Sequence, residues 1–182
     1  MKIIFLDRDG VINKYPGDGR YVTKWSEFKF LKGVKLALKR LTQNDCKIFI
    51  ISNQAGVSKG IFTKKDLDDI TENMLKELNR SKIKIAGVFY CIHREEDKCS
   101  CRKPKIGLLK NAIRSLGKIK IDKKNCFFIG DTYRDIQTGE AFGCKTILVF
   151  SGKEKKNNKN FPLKADFTAS DLLEATDLIL NS

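Results

Sequence analysis

Apolar runs and amphipathic stretches alternate along the chain. Five short runs are rich in β-branched and aromatic residues and lack strict polar–apolar alternation, which is typical of strands covered on both faces. They are Lys2–Leu6, Lys47–Ser52, Val88–Cys91, Cys126–Ile129 and Lys145–Phe150. Helical periodicity is present in Val34–Leu41, Asp66–Leu78, Gly107–Leu116, Ile136–Phe142 and a final segment that begins near Ser170. Thr63 and Asp66 predict a capping box at the start of the second helix.

The alternation of strands and helices predicts an α/β fold with a parallel sheet, because parallel strands need long crossover connections that are usually helical. We expect three layers in a Rossmann-like arrangement, with helices on both faces of the sheet and ligands beyond the carboxyl ends of the strands. No repeat or linker divides the sequence, so residues 1–182 are expected to form a single domain. The loop Lys14–Phe28 and the cysteine-rich segment after the third strand predict a minimal cap over an open site.

Composition and charge narrow the class of protein. With 41% hydrophobic and 32% charged residues, the 182-residue chain is typical of a folded globular protein. It has no apolar run long enough for a signal peptide or a membrane span, so we expect a cytoplasmic protein with reduced cysteines. The net charge of +14 is compatible with an anionic substrate, a nucleic acid or a lysine-rich genome. Lysines are scattered, and their one concentration, Lys153–Lys164, is interpreted as a solvated loop.

Two carboxylates, Asp7 and Asp9, directly follow the first strand, with Gly10 immediately behind them. Two carboxylates at one centre can perform different tasks if their surroundings separate their pKa values. One can attack phosphorus to form an acyl phosphate, while the other protonates the departing alkoxide and later accepts a proton from water. The pair therefore indicates a candidate catalytic site for phosphoryl transfer.

Such a site needs a metal ion and cationic groups, because carboxylates repel a phosphate dianion. Asp131, after the fourth strand, can complete an oxygen ligand set suited to Mg²⁺, and Asp135 can support those ligands from behind. Lys103 can neutralise charge on the phosphoryl oxygens, while Ser52, Asn53 and nearby backbone N–H groups can bind them. Each motif alone could be a turn or a helix cap. Their order and their placement at strand ends favour the catalytic interpretation.

Three of the six cysteines and the single histidine lie within eleven residues, at Cys91, His93, Cys99 and Cys101. This set matches a closed, tetrahedral structural zinc site. The polar loop between the two pairs could not fold on hydrophobic contacts alone, whereas zinc would fold it directly. A chance cluster of thiols beside a histidine is the alternative. The remaining cysteines lie in or beside apolar strands and are interpreted as small core side chains: Cys46, Cys126 and Cys144.

Four ordered motifs together resemble the haloacid dehalogenase-like phosphatases. They are Asp7-x-Asp9-Gly10, Ser52-Asn53-Gln54, Arg102-Lys103-Pro104 and Gly130-Asp131. The resemblance implies that Asp7 is the nucleophile and Asp9 the general acid/base. It also implies that Ser52 and Lys103 bind the phosphoryl group. Mg²⁺ would be bound by Asp7, Asp131 and the backbone carbonyl of Asp9.

The zinc-type cluster runs directly into Arg102-Lys103-Pro104. This pairing resembles the branch that contains D,D-heptose 1,7-bisphosphate phosphatases and histidinol phosphatases, over residues 3–150. Tyr21-Val22 and Trp25–Gly33 also resemble the substrate loop of that branch. The resemblance implies that Arg102 holds the sugar or its second phosphate. The chain departs from this branch in two features. Its zinc loop is shorter than in many relatives, and Thr132 occupies a position where a basic residue often follows the metal-binding acid.

The expected substrate is therefore a small phosphorylated metabolite, and the leading hypothesis is removal of the 7-phosphate of D-glycero-D-manno-heptose 1,7-bisphosphate by a monomeric enzyme. The remaining 1-phosphate would serve nucleotide-heptose synthesis. Histidinol phosphatase is the nearest alternative because its phosphoryl chemistry is identical. A nucleic-acid 3′-phosphatase fits the positive charge, but a zinc loop is not expected there. A zinc-stabilised interaction protein without activity represents a different class.

Overall fold

The sheet has six parallel strands in the order β3-β2-β1-β4-β5-β6. The computed structural model describes residues 1–118, 120–156 and 164–182. The strands are β1 Ile3–Leu6, β2 Lys47–Asn53, β3 Gly87–Cys91, β4 Cys126–Gly130, β5 Lys145–Val149 and β6 Phe167–Ala169. The helices are α1 Val34–Gln43, α2 Lys64–Arg80, α3 Gly107–Arg114, α4 Tyr133–Phe142 and α5 Leu172–Leu180, with short 3-10 helices at Trp25–Glu27 and Lys123–Asn125.

Side chains of successive strand residues enter two different cores, as the pleat requires. Ile4 and Leu6 of β1 pack in one core with buried residues of α1, α2 and α5. Ile3 and Phe5 pack in the other with α3 and the Phe142 end of α4. Helices therefore cover both faces of the sheet, and the predicted three-layer α/β fold is confirmed.

The five predicted strands and five predicted helices are all present. The capping box is also present, because Thr63 N–H donates to Asp66 Oδ2 at 2.7 Å and Asp66 N–H donates back to Thr63 Oγ1 at 3.1 Å. The sequence reading missed β6, which is three residues long and has two exposed positions, so it carries little apolar signal. It also began α4 at Ile136, three residues later than the observed start at Tyr133.

The segment Lys14–Phe28 forms a loop after β1 whose two ends are joined to each other by backbone pairing outside the sheet. An antiparallel bridge joins Asn13 to Phe30. Lys14 N–H donates to the carbonyl of Lys29 at 2.8 Å, and Leu31 N–H donates to the carbonyl of Ile12 at 3.0 Å. Both ends of this loop, which we name the 14–28 loop, are therefore fixed beside β1.

Part of the predicted lysine-rich loop, residues 157–163, lies outside the described residues. Among the helices that the structure describes, none has both the length and the apolar character needed to cross a lipid bilayer.

Candidate active site and metal centres

A buried ammonium group lies between two carboxylates at the carboxyl end of β1. Lys103 Nζ is 3.0 Å from Asp7 Oδ1 and 2.6 Å from Asp135 Oδ1. The Lys103 side chain is only 4% exposed, and both carboxylates are also buried. Because burial makes charge interactions stronger, this cation strongly offsets the repulsion between the two acids.

Local hydrogen bonds fix the geometry of this arrangement. At the start of α4, the backbone N–H and hydroxyl of Thr132 donate to Asp135 Oδ2 at 3.1 and 2.6 Å. The other oxygen of Asp135 is thereby aimed at Lys103. Asn53 holds the backbone of Lys103 on both sides, accepting from its N–H at 3.0 Å and donating to its carbonyl at 3.2 Å. Asn53 thus fixes the backbone of Lys103, and Asp135 fixes its ammonium group.

Asp131 follows β4 and is enclosed by two glycines. A Cβ added at Gly10 would lie 2.1 Å from Asp131 Oδ2, and one at Gly152 would lie 2.0 Å from the same atom. Gly10 also has φ +86°, a left-handed backbone that favours glycine. The backbone N–H of Lys153 donates to Asp131 Oδ2 at 2.6 Å. The Asp131 carboxylate can therefore lie buried beside Asp7 because both neighbouring positions are glycine. A side chain at either position would displace it.

The electrostatics of the acidic cluster fit a bound divalent cation. Burial, together with the carboxylates of Asp135 and Asp9, raises the pKa of Asp7 to about 6 although Lys103 opposes the shift. Burial and the neighbouring acids Asp7 and Asp135 also raise the pKa of Asp131 well above its usual range. Carboxylate oxygens of Asp7, Asp131 and Asp135 lie within 4.8 Å of one another. Such hard oxygen donors suit Mg²⁺, and Asp7 with Asp131 could hold it because Lys103 and Thr132 already engage both oxygens of Asp135.

Asp9 lies beside this cluster with its side chain 16% exposed. Its carboxylate accepts hydrogen bonds from three side chains, Arg8, Asn13 and Gln54. Gln54 Nε2 also donates to Ser52 Oγ at 3.2 Å. One network of buried polar side chains therefore joins the end of β1 to the end of β2.

A cavity of about 400 Å³ opens over these groups. The predicted site residues that line it are Asp7, Asp9, Ser52, Asn53, Arg102, Lys103 and Asp131, while Asp135 lies behind Lys103. Arg102 Nη1 donates to the carbonyl of His93 at 3.3 Å. Additional cations on the wall are Arg20, Lys59, Arg134 and Lys153. The wall also carries the acidic residues Asp18, Glu95 and Glu154, and Asp18 and Glu95 form ion pairs with Lys153 and Arg134. The cavity therefore presents charges of both signs around the acidic cluster.

The 14–28 loop forms one side of this cavity. Tyr15 Oη donates to Asp18 Oδ1 at 2.5 Å, and Lys153 Nζ donates to the same oxygen at 2.6 Å. Lys153 thus binds the loop through its side chain and Asp131 through its backbone. The loop covers the site from one side without enclosing it, in agreement with the predicted minimal cap.

The cysteine cluster has the geometry of a tetrahedral metal site. The sulfur atoms of Cys91, Cys99 and Cys101 lie 3.2 to 3.6 Å apart. His93 Nδ1 is 3.7 Å from Cys91 Sγ and 3.3 Å from Cys101 Sγ. A tetrahedron with zinc–sulfur bonds of the usual length has edges of about 3.8 Å, so slight expansion accommodates the ion. The four donors leave no position for water, and the site fits structural zinc.

Sequence reasoning did not single out Arg8, Asn13 and Gln54 as a network around Asp9, or Lys153 as the link between Asp131 and the 14–28 loop. Arg8 offered one signal, because it is a charged residue that directly follows a buried strand. The contacts of Lys153 join positions far apart in sequence and had no local signal.

Comparisons with known proteins agree with this geometry. A family model described as "Polynucleotide kinase 3 phosphatase" matches residues 2–180. The D-glycero-alpha-D-manno-heptose-1,7-bisphosphate 7-phosphatase of Campylobacter jejuni is 34% identical over 157 residues, which are 86% of this chain and 87% of the relative. The D-glycero-beta-D-manno-heptose-1,7-bisphosphate 7-phosphatase of Helicobacter pylori is 37% identical over 82% of this chain and 83% of the relative.

A similar fold is present in a crystal structure of D,D-heptose 1,7-bisphosphate phosphatase from B. bronchiseptica, complexed with magnesium and phosphate. The TM-score is 0.90 at 31% sequence identity, and the alignment covers 100% of this chain and 99% of that one.

Proposed function

We propose a substrate and residue roles for this chain, which belongs to the polynucleotide kinase 3 phosphatase family and is a haloacid dehalogenase-like phosphatase. Family membership confirms the resemblance drawn from the four motifs and the expectation of a phosphoric monoester hydrolase that uses Mg²⁺. The proposed reaction is hydrolysis of the 7-phosphate of D-glycero-D-manno-heptose 1,7-bisphosphate, as the names of the relatives describe for them.

The observation that carries the proposal is the buried contact of Lys103 with Asp7 and Asp135, beside Asp131 and at the base of an open cavity. This contact supports the proposed roles of Asp7 as the nucleophile, of Lys103 as the cation that binds the phosphoryl group, and of Asp7 with Asp131 as metal ligands. The open cavity leaves room for a sugar, and Arg102 lies on its wall where a second phosphate could bind.

Asp7 attacks phosphorus and forms an aspartyl phosphate, while the bond from phosphorus to the sugar oxygen breaks. Asp9 donates its proton to the departing alkoxide and then accepts one from the water that hydrolyses the aspartyl phosphate. Lys103 and the Ser52 hydroxyl bind the phosphoryl oxygens as charge shifts onto them. When bound by Asp7, Asp131 and the backbone carbonyl of Asp9, Mg²⁺ supplies charge that offsets the repulsion between carboxylate and phosphate.

The zinc cluster supports this site from outside. Cys101 directly precedes Arg102 and Lys103, so a metal held by Cys91, His93, Cys99 and Cys101 would fix the backbone from which both cations extend. We propose a structural role for this ion, because its four protein ligands leave no open position for chemistry.

A panel assay of the purified protein with Mg²⁺ tests the substrate. Both anomers of the heptose bisphosphate, histidinol phosphate and a 3′-phosphorylated oligonucleotide are compared by kcat/KM, with the Asp7→Asn variant as the background control. We expect a preference of at least about 10-fold for one of the heptose anomers. Higher kcat/KM for histidinol phosphate or the oligonucleotide contradicts the heptose assignment and leaves the phosphatase chemistry intact.

A nucleic-acid 3′-phosphatase is the second candidate, favoured by the description of the matching family model and by the net charge of +14. Under this alternative, binding to DNA weakens steeply as salt increases, because phosphate contacts release counterions. DNA binding that is undetectable at low salt contradicts this alternative.

The cytoplasmic location and the monomeric state stay predictions. Cell fractionation tests the location, and light scattering tests the oligomeric state.

A further inference from the structure

Three side chains with no assigned task surround the carboxylate of Asp9. Arg8 donates to Asp9 Oδ1 from Nε at 3.2 Å and from Nη2 at 3.0 Å, and Nη2 also lies 3.0 Å from Oδ2. Asn13 Nδ2 donates to Oδ1 at 2.8 Å, and Gln54 Nε2 donates to Oδ2 at 2.9 Å. We name these donors, Arg8, Asn13 and Gln54, the Asp9 cage.

The Asp9 cage is buried to a degree that is unusual for such polar side chains. Arg8, Asn13 and Gln54 are each 0% exposed, and arginine is almost never fully buried unless it is paired. The ion pair that the structure gives Arg8 is the one with Asp9. Its guanidinium carbon also lies 5.8 Å from the centre of the Tyr90 ring, which bounds the other side.

The cage leaves some of its own hydrogen-bonding capacity unused. Within the described residues, the buried side-chain nitrogen and oxygen atoms that lack a hydrogen-bond partner are Arg8 Nη1, Asn13 Oδ1 and Gln54 Oε1. All three belong to the cage. Unsatisfied buried polar atoms destabilise a folded protein. An arrangement selected for stability alone would satisfy them, whereas here both amides direct their N–H groups at Asp9.

We propose that Arg8 is a positioning residue that, with Gln54, holds the Asp9 carboxylate at the cavity wall in the orientation required for proton transfer to the leaving group. The bidentate contact from the planar guanidinium fixes the plane of the carboxylate, which a lysine could not do. Gln54 fixes the second oxygen and connects it to Ser52, a predicted phosphoryl ligand. The inference rests on the proposed role of Asp9 as general acid/base.

Dependence on the leaving group separates positioning of a general acid from a structural role. An alkyl phosphate releases an alkoxide that needs a proton, whereas 2,4-dinitrophenyl phosphate releases a stable phenolate that needs none. A general acid contributes roughly 10²- to 10⁴-fold to the rate. We therefore expect Arg8→Lys to lower kcat/KM by about 100-fold on the alkyl phosphate that the wild type hydrolyses fastest. On dinitrophenyl phosphate the loss should be under about 5-fold.

Gln54→Met gives a second variant of similar volume in case Arg8→Lys does not fold, and we expect the same direction with a smaller loss. Asp9→Asn is the benchmark for loss of the general acid. Arg40→Lys is the matched control, since Arg40 pairs with Asp177 in a partly exposed salt bridge, and it should change neither rate. Folding is checked by circular dichroism and zinc content.

The outcomes separate this inference from the proposed function. If Asp9→Asn shows the leaving-group dependence but folded Arg8→Lys and Gln54→Met lower both rates equally, the cage is structural and the inference is wrong. If Asp9→Asn itself lowers both rates equally, the role of Asp9 is wrong and the inference fails with it. A wild-type protein inactive on every phosphate ester overturns the proposed function first.

Discussion

Asp7→Asn is expected to stabilise the metal-free protein while it abolishes turnover. Burial and nearby acids raise the pKa of Asp7 from 3.8 to about 6 in the folded protein, although Lys103 opposes the shift. At pH 7.5 the ionised carboxylate therefore lowers the free energy of unfolding by about 3 kcal/mol, since each pKa unit corresponds to about 1.4 kcal/mol. Asparagine has nearly the same shape and no charge, so it removes this cost.

The sign of the pH dependence follows from which state binds the proton more tightly. A raised pKa means that the folded protein holds a proton that the unfolded chain has already lost between about pH 4 and pH 6. The free energy of unfolding of the wild type therefore falls as the pH rises through this window. At pH 4.5 the advantage of Asp7→Asn should shrink to about 1 kcal/mol, because folded Asp7 is then protonated.

Urea denaturation with EDTA, at both pH values, measures these differences. Saturating Mg²⁺ should stabilise the wild type more than the variant, because the variant lacks one of the proposed ligands of the ion. Asp68→Asn is the matched control, since Asp68 is exposed on α2, and it should change stability by under about 0.5 kcal/mol. A metal-free Asp7→Asn protein that is less stable than the wild type at pH 7.5 would refute the reasoning.

Three further predictions concern the groups around Asp7. Asp135→Asn should lower kcat by about 10- to 100-fold by releasing Lys103, with little change in zinc content; unchanged steady-state kinetics would contradict this. Gly152→Ala should raise the Mg²⁺ concentration for half-maximal activity at least about 10-fold, because its Cβ would lie 2.0 Å from Asp131 Oδ2; an unchanged titration would show that the backbone yields. Cys101→Ser should reduce bound zinc, measured by mass spectrometry, and lower activity through its neighbour Lys103; full zinc occupancy would exclude it as a ligand.

The sequence was sufficient for the features that depend on short-range patterns. Strands covered on both faces gave unbroken apolar runs, and the motifs at their ends placed Asp7, Ser52 and Asp131 at one edge of the sheet. The candidate zinc site was equally accessible, because four potential donors within eleven residues form a local pattern. Parallel strands have their carboxyl ends at the same edge, so sequence position converted directly into spatial proximity.

Features that depend on long-range packing were not accessible in the same way. Asn53 was predicted to bind phosphate, and the structure shows both polar atoms of its side chain engaged with the Lys103 backbone. Its contact with phosphate stays a prediction. Gln54 reaches Asp9 from the end of β2, and Gly152 reaches Asp131 from the segment after β5. These contacts join residues far apart in sequence, so no local pattern indicates them.

The fixed base of the 14–28 loop has a consequence for how new specificity could arise. Both ends are pinned by backbone pairing between Asn13 and Phe30, and Asp18 at the tip, residues 15–21, contacts Lys153. Changes in the tip that keep this one contact need not disturb the acidic cluster. Recognition of the organic part of a ligand and the bond-breaking machinery can therefore diversify independently. Grafting this short tip from one related enzyme onto another offers a route to retargeted hydrolases.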